Sequence, residues 1–153
     1  MKKISVVTIC YNCQAVIEQT IRSVIGQTYK DVEYILIDGA STDGTMAVVN
    51  RYRDKIDYIS SEPDRGIYDA MNKGIQRATG DWICFLNSGD VFCEANSVEQ
   101  MMKSEHQDVD ILFVVDNTIS MIAEDYGPEN DIRLNGVRAD CNYIMEKFPG
   151  ASY

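Results

Sequence analysis

Read from its first residue, the chain sorts into short apolar runs and longer stretches in which apolar positions return every three or four residues. Ile4 to Ile9 is apolar except for Ser5 and Thr8, the pattern of a strand covered on both faces in a parallel sheet. Ile17, Ile21, Val24 and Ile25 follow at helical spacing. Glu33 to Ile37 reads as a second strand, and Met46, Val49 and Tyr52 mark a second helix. Ile56 to Ser60 is a short third strand; Ile67, Met71, Ile75 and Ala78 mark a third helix that Gly80 closes. Trp82 to Leu86 is a fourth strand, Asn96 or Ser97 caps a fourth helix running through Met102, and Val109 to Val115 is a fifth strand. Beyond that the period fades. Gly127, Pro128, Asn130, Asn135 and Gly136 interrupt it, and the one element expected there is a short helix near Cys141 to Lys147.

Strand and helix in strict alternation imply right-handed crossovers, hence an α/β fold: a Rossmann-like, mainly parallel sheet with flanking helices. The expected organisation is an α/β domain over 1–115 and a tail over 116–153 packed on that same domain. In such sheets ligands lie outside the carboxyl ends of the strands. The residues at those ends are Cys10-Tyr11-Asn12, Asp38 through Asp43, Glu62 through Gly66, and Asn87 through Asp90. The polar chemistry therefore falls on one rim.

Composition narrows the ligand. The 153 residues suffice for one domain, and no apolar run approaches the roughly 18 to 20 residues of a membrane span. Twenty-four Asp and Glu against 14 Lys and Arg leave a net charge of −10. That balance argues against nucleic acid as a partner, and an anionic ligand would need a metal ion or a local cation beside it. Five cysteines without regular spacing make no disulfide framework and fit a reducing cytoplasm.

The rim residues each have two readings. Gly39 to Thr45 has the glycine spacing of a phosphate-binding loop but lacks the lysine and contains Asp43, so it is read as a loop in which Thr42 or Asp43 caps the next helix. Asp38 ends its strand where a base or ribose would lie, and position alone leaves its role open. Cys10 and Cys13, between a strand and a helix, have the spacing of a redox dithiol. The acidic surroundings are expected to raise a thiol pKa, which favours plain packing residues. A zinc half-site is excluded by the lack of partners, since His106 is the only histidine. Arg65 is the one basic residue in the four loops, a surface turn residue or the cation that a diphosphate would meet. Asp90, next to Asn87 and Ser88, is either the end of an ordinary turn or a hard-oxygen position suited to Mg2+ or Mn2+.

Taken together, ISVVTICYN, ILIDGASTDGT, EPDRGIYDAMNKGI and ATGDWICFLNSGDVF resemble, in order and spacing, the nucleotide-sugar domain of the family 2 glycosyltransferases with the GT-A fold. The likeness is greatest to bacterial members that build surface polysaccharides, and it spans roughly residues 3 to 115. The resemblance implies that Tyr11 lies against the nucleotide base, with the backbone of Ile9 and Cys10 touching base and ribose, and that Asp38 hydrogen-bonds the base. It implies that Arg65 and Asn72 border the diphosphate, that Asn87 and Ser88 belong to the diphosphate and metal motif, and that Asp90 supplies its last carboxylate to Mg2+ or Mn2+. It further implies a UDP- or GDP-sugar donor, a saccharide or lipid-linked acceptor, inversion at the anomeric carbon, and work at the inner face of the membrane. Asn87 and Gly89 stand where the common pattern has two aspartates, and Gly39 where it has another. Members of the family continue for about a hundred residues more, with an acceptor pocket and a Glu-Asp base motif. Ala123 to Leu134 resembles that motif, with Asp125 as the candidate base. Two rivals remain: a truncated module that binds a nucleotide sugar without turnover, and a redox protein built on the cysteine pair.

Overall fold

A computed structural model describes residues 2–103 in full and, beyond them, the backbones of three strands over 111–115, 118–121 and 142–146. The elements are β1 (Ile4–Cys10), α1 (Ile17–Ile25), β2 (Val32–Asp38), α2 (Thr45–Asn50), β3 (Tyr58–Ser61), α3 (Ile67–Arg77), β4 (Trp82–Phe85), α4 (Ser97–Lys103), β5 (Ile111–Val115), β6 (Thr118–Met121) and β7 (Asn142–Glu146). They form one sheet in the order β3-β2-β1-β4-β7-β5-β6. The first four strands are mutually parallel, as the alternating pattern requires.

β1 lies between two parallel neighbours and is buried at all seven positions, which is why it reads as a continuous apolar run. Its side chains alternate between faces. Ile4 and Val6 join Leu36, Trp82 and Cys84 under the buried stripe of α1 (Ile17, Ile21, Val24), with Val48, Val49, Val98 and Met101 from α2 and α4. Val7 and Ile9 join Ile35, Ile37, Ile83 and Phe85 on the other face, against Ala70 of α3 with Met71 and Ile75 beside it. Two-residue periodicity in the strands and 3.6-residue periodicity in the helices meet in these two clusters. Two apolar residues assigned to helix stripes leave the core: Ile25, in the last turn of α1, is 37% exposed and Ile67, the first residue of α3, is 51% exposed.

The carboxy-terminal strands depart from the expectation. β5 begins at Ile111 and runs in the sense of the parallel set, but it does not touch β4. β7 lies between them, antiparallel to both, and β6 closes the far edge antiparallel to β5. The helix expected near Cys141 to Lys147 is therefore a strand over Asn142–Glu146. Its faint local period is overridden by the unpaired edge of β4, where Ile83 pairs with Met145 and Cys84 with Ile144. Among the described residues no helix is long and apolar enough to cross a membrane.

Candidate functional site

Parallel register brings the loops to one edge. Cys10 pairs with Asp38 and Asp38 with Ser61, so the carboxyl ends of β1, β2 and β3 stand side by side. After β4 the chain keeps following β1: Leu86 N–H donates to Val7 O at 3.0 Å and Ser88 N–H to Ile9 O at 3.1 Å. All four connections therefore open on the same rim.

The first two loops are stitched together. Asn12 N–H donates to Ser41 Oγ at 2.8 Å and Thr42 N–H to Asn12 Oδ1 at 2.9 Å. Cys13 N–H donates to Thr45 Oγ1 at 2.8 Å, and Gln14 N–H to Asp43 Oδ2 at 3.1 Å. Asp43 also accepts the Thr45 N–H at 2.8 Å, so it satisfies the start of α2 as read from the sequence. The cross-links hold two residues in the left-handed region, Asn12 at φ 47° and Ala40 at φ 61°. The conformation suits Asn but strains Ala by about 1 kcal/mol or more.

Asp38 is the hub beneath these loops. It is fully buried. Its Oδ2 accepts the Ser41 N–H at 3.0 Å and the Ser61 hydroxyl at 2.6 Å; its Oδ1 accepts the Ser41 hydroxyl and, at 3.6 Å, the Cys10 thiol. A carboxylate that accepts four donors from its own chain ties three strand ends together. Sequence reading missed its serine partners. Ser41, three residues on from a strand-ending Asp, carries the recognisable signal of a side chain bonding nearby backbone, whereas Ser61 does not, because it arrives from another strand.

Tyr11 stands on the rim 64% exposed. A Cβ on Gly39 would meet Asp64 Oδ2 at 2.6 Å and Tyr11 Cδ2 at 3.3 Å. Tyr11, Gly39 and Asp64 are thus contiguous where the first three loops approach one another. Arg65 extends from the same loop with its side chain 91% exposed, paired to Asp69 Oδ1 at 3.3 Å. The backbone and side chain of Arg65 hold the Asp69 carboxyl below the usual range. Lys73, which the sequence reading passed over, donates to Pro63 O at 2.9 Å and pairs with Glu62 at 3.2 Å, fastening the loop to α3. Asn72 is half-buried on the same helix.

The fourth loop is a tight turn. Asp90 N–H bonds to Asn87 O at 3.0 Å and Gly89 has φ 99°, the positive value that a type II turn demands at its third position. The glycine standing where the family pattern has an aspartate is therefore required by the backbone. Asn87 Oδ1 is buried with no hydrogen-bond partner. Ser88, with Asn12, Cys13, Gln14, Ala15, Val16 and Asp43, lines a cavity of about 600 Å³. Arg65 and Asn72 do not line it.

The two cysteines in this corner differ sharply. The hydrogen bond to Cys13, burial and the nearby Asp38 all push the Cys10 thiol up. Cys13 is drawn down to about 6: the hydrogen bond from Cys10 contributes most, burial opposes it, the Ser88 and Thr45 hydroxyls add to the lowering, and Asp43 opposes it. The expectation that an acidic environment would raise both thiols is thus corrected for Cys13, because three nearby donors outweigh a distant net charge.

With the rim in place, its relatives can be recognised. The family model described as Glycosyl transferase family 2 matches residues 5–143, most of the chain. The chain belongs to this family. Among its curated relatives, the "Uncharacterized glycosyltransferase Rv1514c" of Mycobacterium tuberculosis is 40% identical over 102 residues, which are 66% of this chain and 39% of that protein. The UDP-Glc:alpha-D-GlcNAc-diphosphoundecaprenol beta-1,3-glucosyltransferase WfaP of Escherichia coli is 33% identical over 110 residues, 71% of this chain and 44% of WfaP. The chain thus spans about two fifths of the length of the curated relatives it matches. Among solved structures, the mannosyltransferase PcManGT of Pyrobaculum calidifontis, in complex with GDP-Man and Mn2+, superposes with a TM-score of 0.67 over 72% of this chain and 34% of its own, at 23% identity. That likeness establishes the GT-A type of fold anticipated from the sequence. The candidate base of this family 2 chain, Asp125, lies outside the described residues.

No group of three or more His, Cys, Asp or Glu side chains that could by itself hold a metal occurs among the described residues. The rim fits a divalent ion in another way. Asn87 contributes a buried, unpartnered amide oxygen, and Asp90, three residues on in the same turn, a carboxylate. Two hard oxygens suit Mg2+ or Mn2+ when the ligand's own phosphates complete the coordination.

Proposed function

We propose that this chain forms the donor-binding part of an inverting, metal-assisted glycosyltransferase. It takes a UDP- or GDP-sugar and serves transfer to a saccharide or lipid-linked acceptor in polysaccharide synthesis at a membrane surface. The observation that carries this reading is the orphaned Asn87 Oδ1. A buried amide oxygen without a partner is unfavourable by about 1–3 kcal/mol, and Asp90 closes the same rim turn three residues on, where a ligand of a GT-A fold would bind. The relatives' donors, UDP-Glc for WfaP and GDP-Man for PcManGT, support a nucleoside diphosphate sugar as the ligand.

Each residue has a task in that reading. Tyr11 offers an exposed ring for the base to lie on, beside the backbone of Ile9 and Cys10. Asp38 positions the loop that carries the base wall. Asn87 and Asp90 hold Mg2+ or Mn2+, which when bound offsets charge on the diphosphate. Arg65, long and exposed, exchanges Asp69 for a phosphate oxygen, and Asn72 borders the same groove. Glycosyl transfer also needs a carboxylate that takes the proton of the acceptor hydroxyl in line with the anomeric carbon, and Asp125 is the residue proposed for it.

The test is calorimetric titration of UDP and GDP, with and without Mn2+, into the wild-type chain and Asp90→Ala. Binding that requires Mn2+ and falls about tenfold or more in the variant is expected. Equal binding by both proteins would remove Asp90 from the metal role. Donor hydrolysis without transfer to any saccharide or lipid-linked acceptor would favour a binding module over a transferase.

A further inference from the structure

The third loop brings to the rim a carboxylate with one oxygen uncommitted. Asp64, half-buried, accepts the Gly66 N–H on Oδ1 at 2.9 Å, the only hydrogen bond of this side chain among the described residues. Gly66, at φ 113°, turns the chain into α3, so the backbone fixes how the carboxylate is rotated. The other oxygen faces Gly39 and Tyr11: a Cβ at position 39 would meet Asp64 Oδ2 at 2.6 Å and Tyr11 Cδ2 at 3.3 Å. An acceptor oxygen and the edge of a ring that is itself 64% exposed thus flank one point. Gly39 leaves room there for both. The family pattern has an aspartate where Gly39 stands, and here a carboxylate enters the same space from a different loop.

We infer that Asp64 reads the base of the donor and selects uracil; this deepens the donor-binding reading above and rests on it. A flat aromatic face takes any base, whereas contacts to the base edge tell one from another. A carboxylate oxygen can only accept. Uracil shows one ring N–H on its edge, between two carbonyl groups, so a single donor meets the single open acceptor and no proton is transferred. Cytosine has a bare ring nitrogen at that place, whose lone pair would face the carboxylate oxygen. Guanine shows two donors side by side and pairs best with both oxygens of a carboxylate, but Oδ1 is already turned to Gly66. The same bond makes the site convertible. In Asp64→Asn the Gly66 N–H still needs an acceptor, so the amide oxygen takes the inner place and Nδ2 the outer one. The rim acceptor becomes a donor, which suits the ring nitrogen of cytosine and meets the N–H of uracil head on.

The experiment is calorimetric titration of UDP, CDP and GDP, each with Mn2+, into the full chain, Asp64→Asn and Asp64→Ala, with urea denaturation to establish that each variant folds. The wild type is expected to bind UDP about tenfold or more tighter than CDP or GDP. Asp64→Asn should reverse the order of UDP and CDP, and Asp64→Ala should weaken UDP about tenfold and bring it level with CDP. The reversal is a readout that a merely structural role of Asp64 would not produce. A wild type that binds GDP or CDP as tightly as UDP would overturn the inference. So would folded variants that keep the wild-type ratio of UDP to CDP: an equal loss for both nucleotides would place the carboxylate on the ribose they share. A wild type that binds none of the three nucleotides would overturn the donor reading and this inference with it, whereas binding without a change of base preference overturns this inference alone.

Discussion

The two ends of the parallel strands are both polar, and they are built to opposite ends. At the amino end, Glu33 accepts from the Ser5 hydroxyl at 2.5 Å, the Thr79 N–H at 2.8 Å, the Thr79 hydroxyl at 2.6 Å and Lys3 Nζ at 3.1 Å, while Gly80 N–H donates to Ser5 Oγ at 2.9 Å. The network joins the starts of β1, β2 and β4 and is closed on itself. At the carboxyl end the matching hub, Asp38, is just as fully satisfied, but the layer above it is not: Tyr11 and Arg65 are exposed, Ala40 is strained and Asn87 Oδ1 has no partner. Polar residues at a strand end are therefore weak evidence of a site. A polar atom left unmatched above a matched hub is stronger evidence.

That contrast can be broken by substitution. The largest effect is expected at Glu33, whose side chain is 13% exposed. Burial pushes its carboxyl up, but the Ser5, Thr79 and Lys3 hydrogen bonds outweigh this and hold it at about 2. A folded-state value below the unfolded one contributes stability above pH 4.5 that is lost as pH falls toward 2. Glu33→Ala should cost about 3 kcal/mol at pH 7, by urea denaturation, with the gap from wild type shrinking across that acid range and UDP affinity unaltered. Asp38→Ala comes next, with an expected loss of about 2–3 kcal/mol as the Ser41 and Ser61 donors lose their acceptor. This loss should be accompanied by weaker UDP binding, since the loops it anchors carry Tyr11. A stability loss with unchanged binding would separate the hub from the site.

Tyr11→Ala should leave stability within about 0.5 kcal/mol, as exposed positions do, and weaken UDP binding by about 1–2 kcal/mol if a base stacks on the ring. Binding of free diphosphate by the same variant should be unchanged. The smallest effect concerns protons alone. Alkylation of Cys13 by iodoacetamide should rise with a midpoint near pH 6, below the roughly 8.5 of an ordinary thiol; a midpoint near the ordinary value would mean that Cys10, Ser88 and Thr45 do not stabilise the thiolate in solution.

Much of this was legible in the residues, and the remainder was hidden for definite reasons. The continuous apolar run of β1 and the periodic stripes of α1 and α3 are local, so the parallel layers and the four rim loops follow from spacing. Cys13 was misjudged because the net charge of −10 is an average over the chain, whereas the groups that lower this thiol, Cys10 first and then Ser88 and Thr45, act on it locally. The serine partners of Asp38 stayed hidden because strand position indicates where a side chain starts but not which hydroxyls, here those of Ser41 and Ser61, claim its oxygens. Asn142–Glu146 was read as helical because its conformation is dictated by the edge of β4, far back in the chain, where Cys84 pairs with Ile144.

The insertion of β7 between β4 and β5 makes assembly wait for its last piece. Trp82–Phe85 and Ile111–Val115 are synthesised long before Asn142–Glu146, and until that segment arrives each presents a raw row of amides and carbonyls to whatever strand is nearby. Long-range pairings of this kind form slowly. A chain cut just short of residue 142 would keep every rim residue described above and still leave two sticky edges, so its first failing would be clumping, well before any question of sugar chemistry arose.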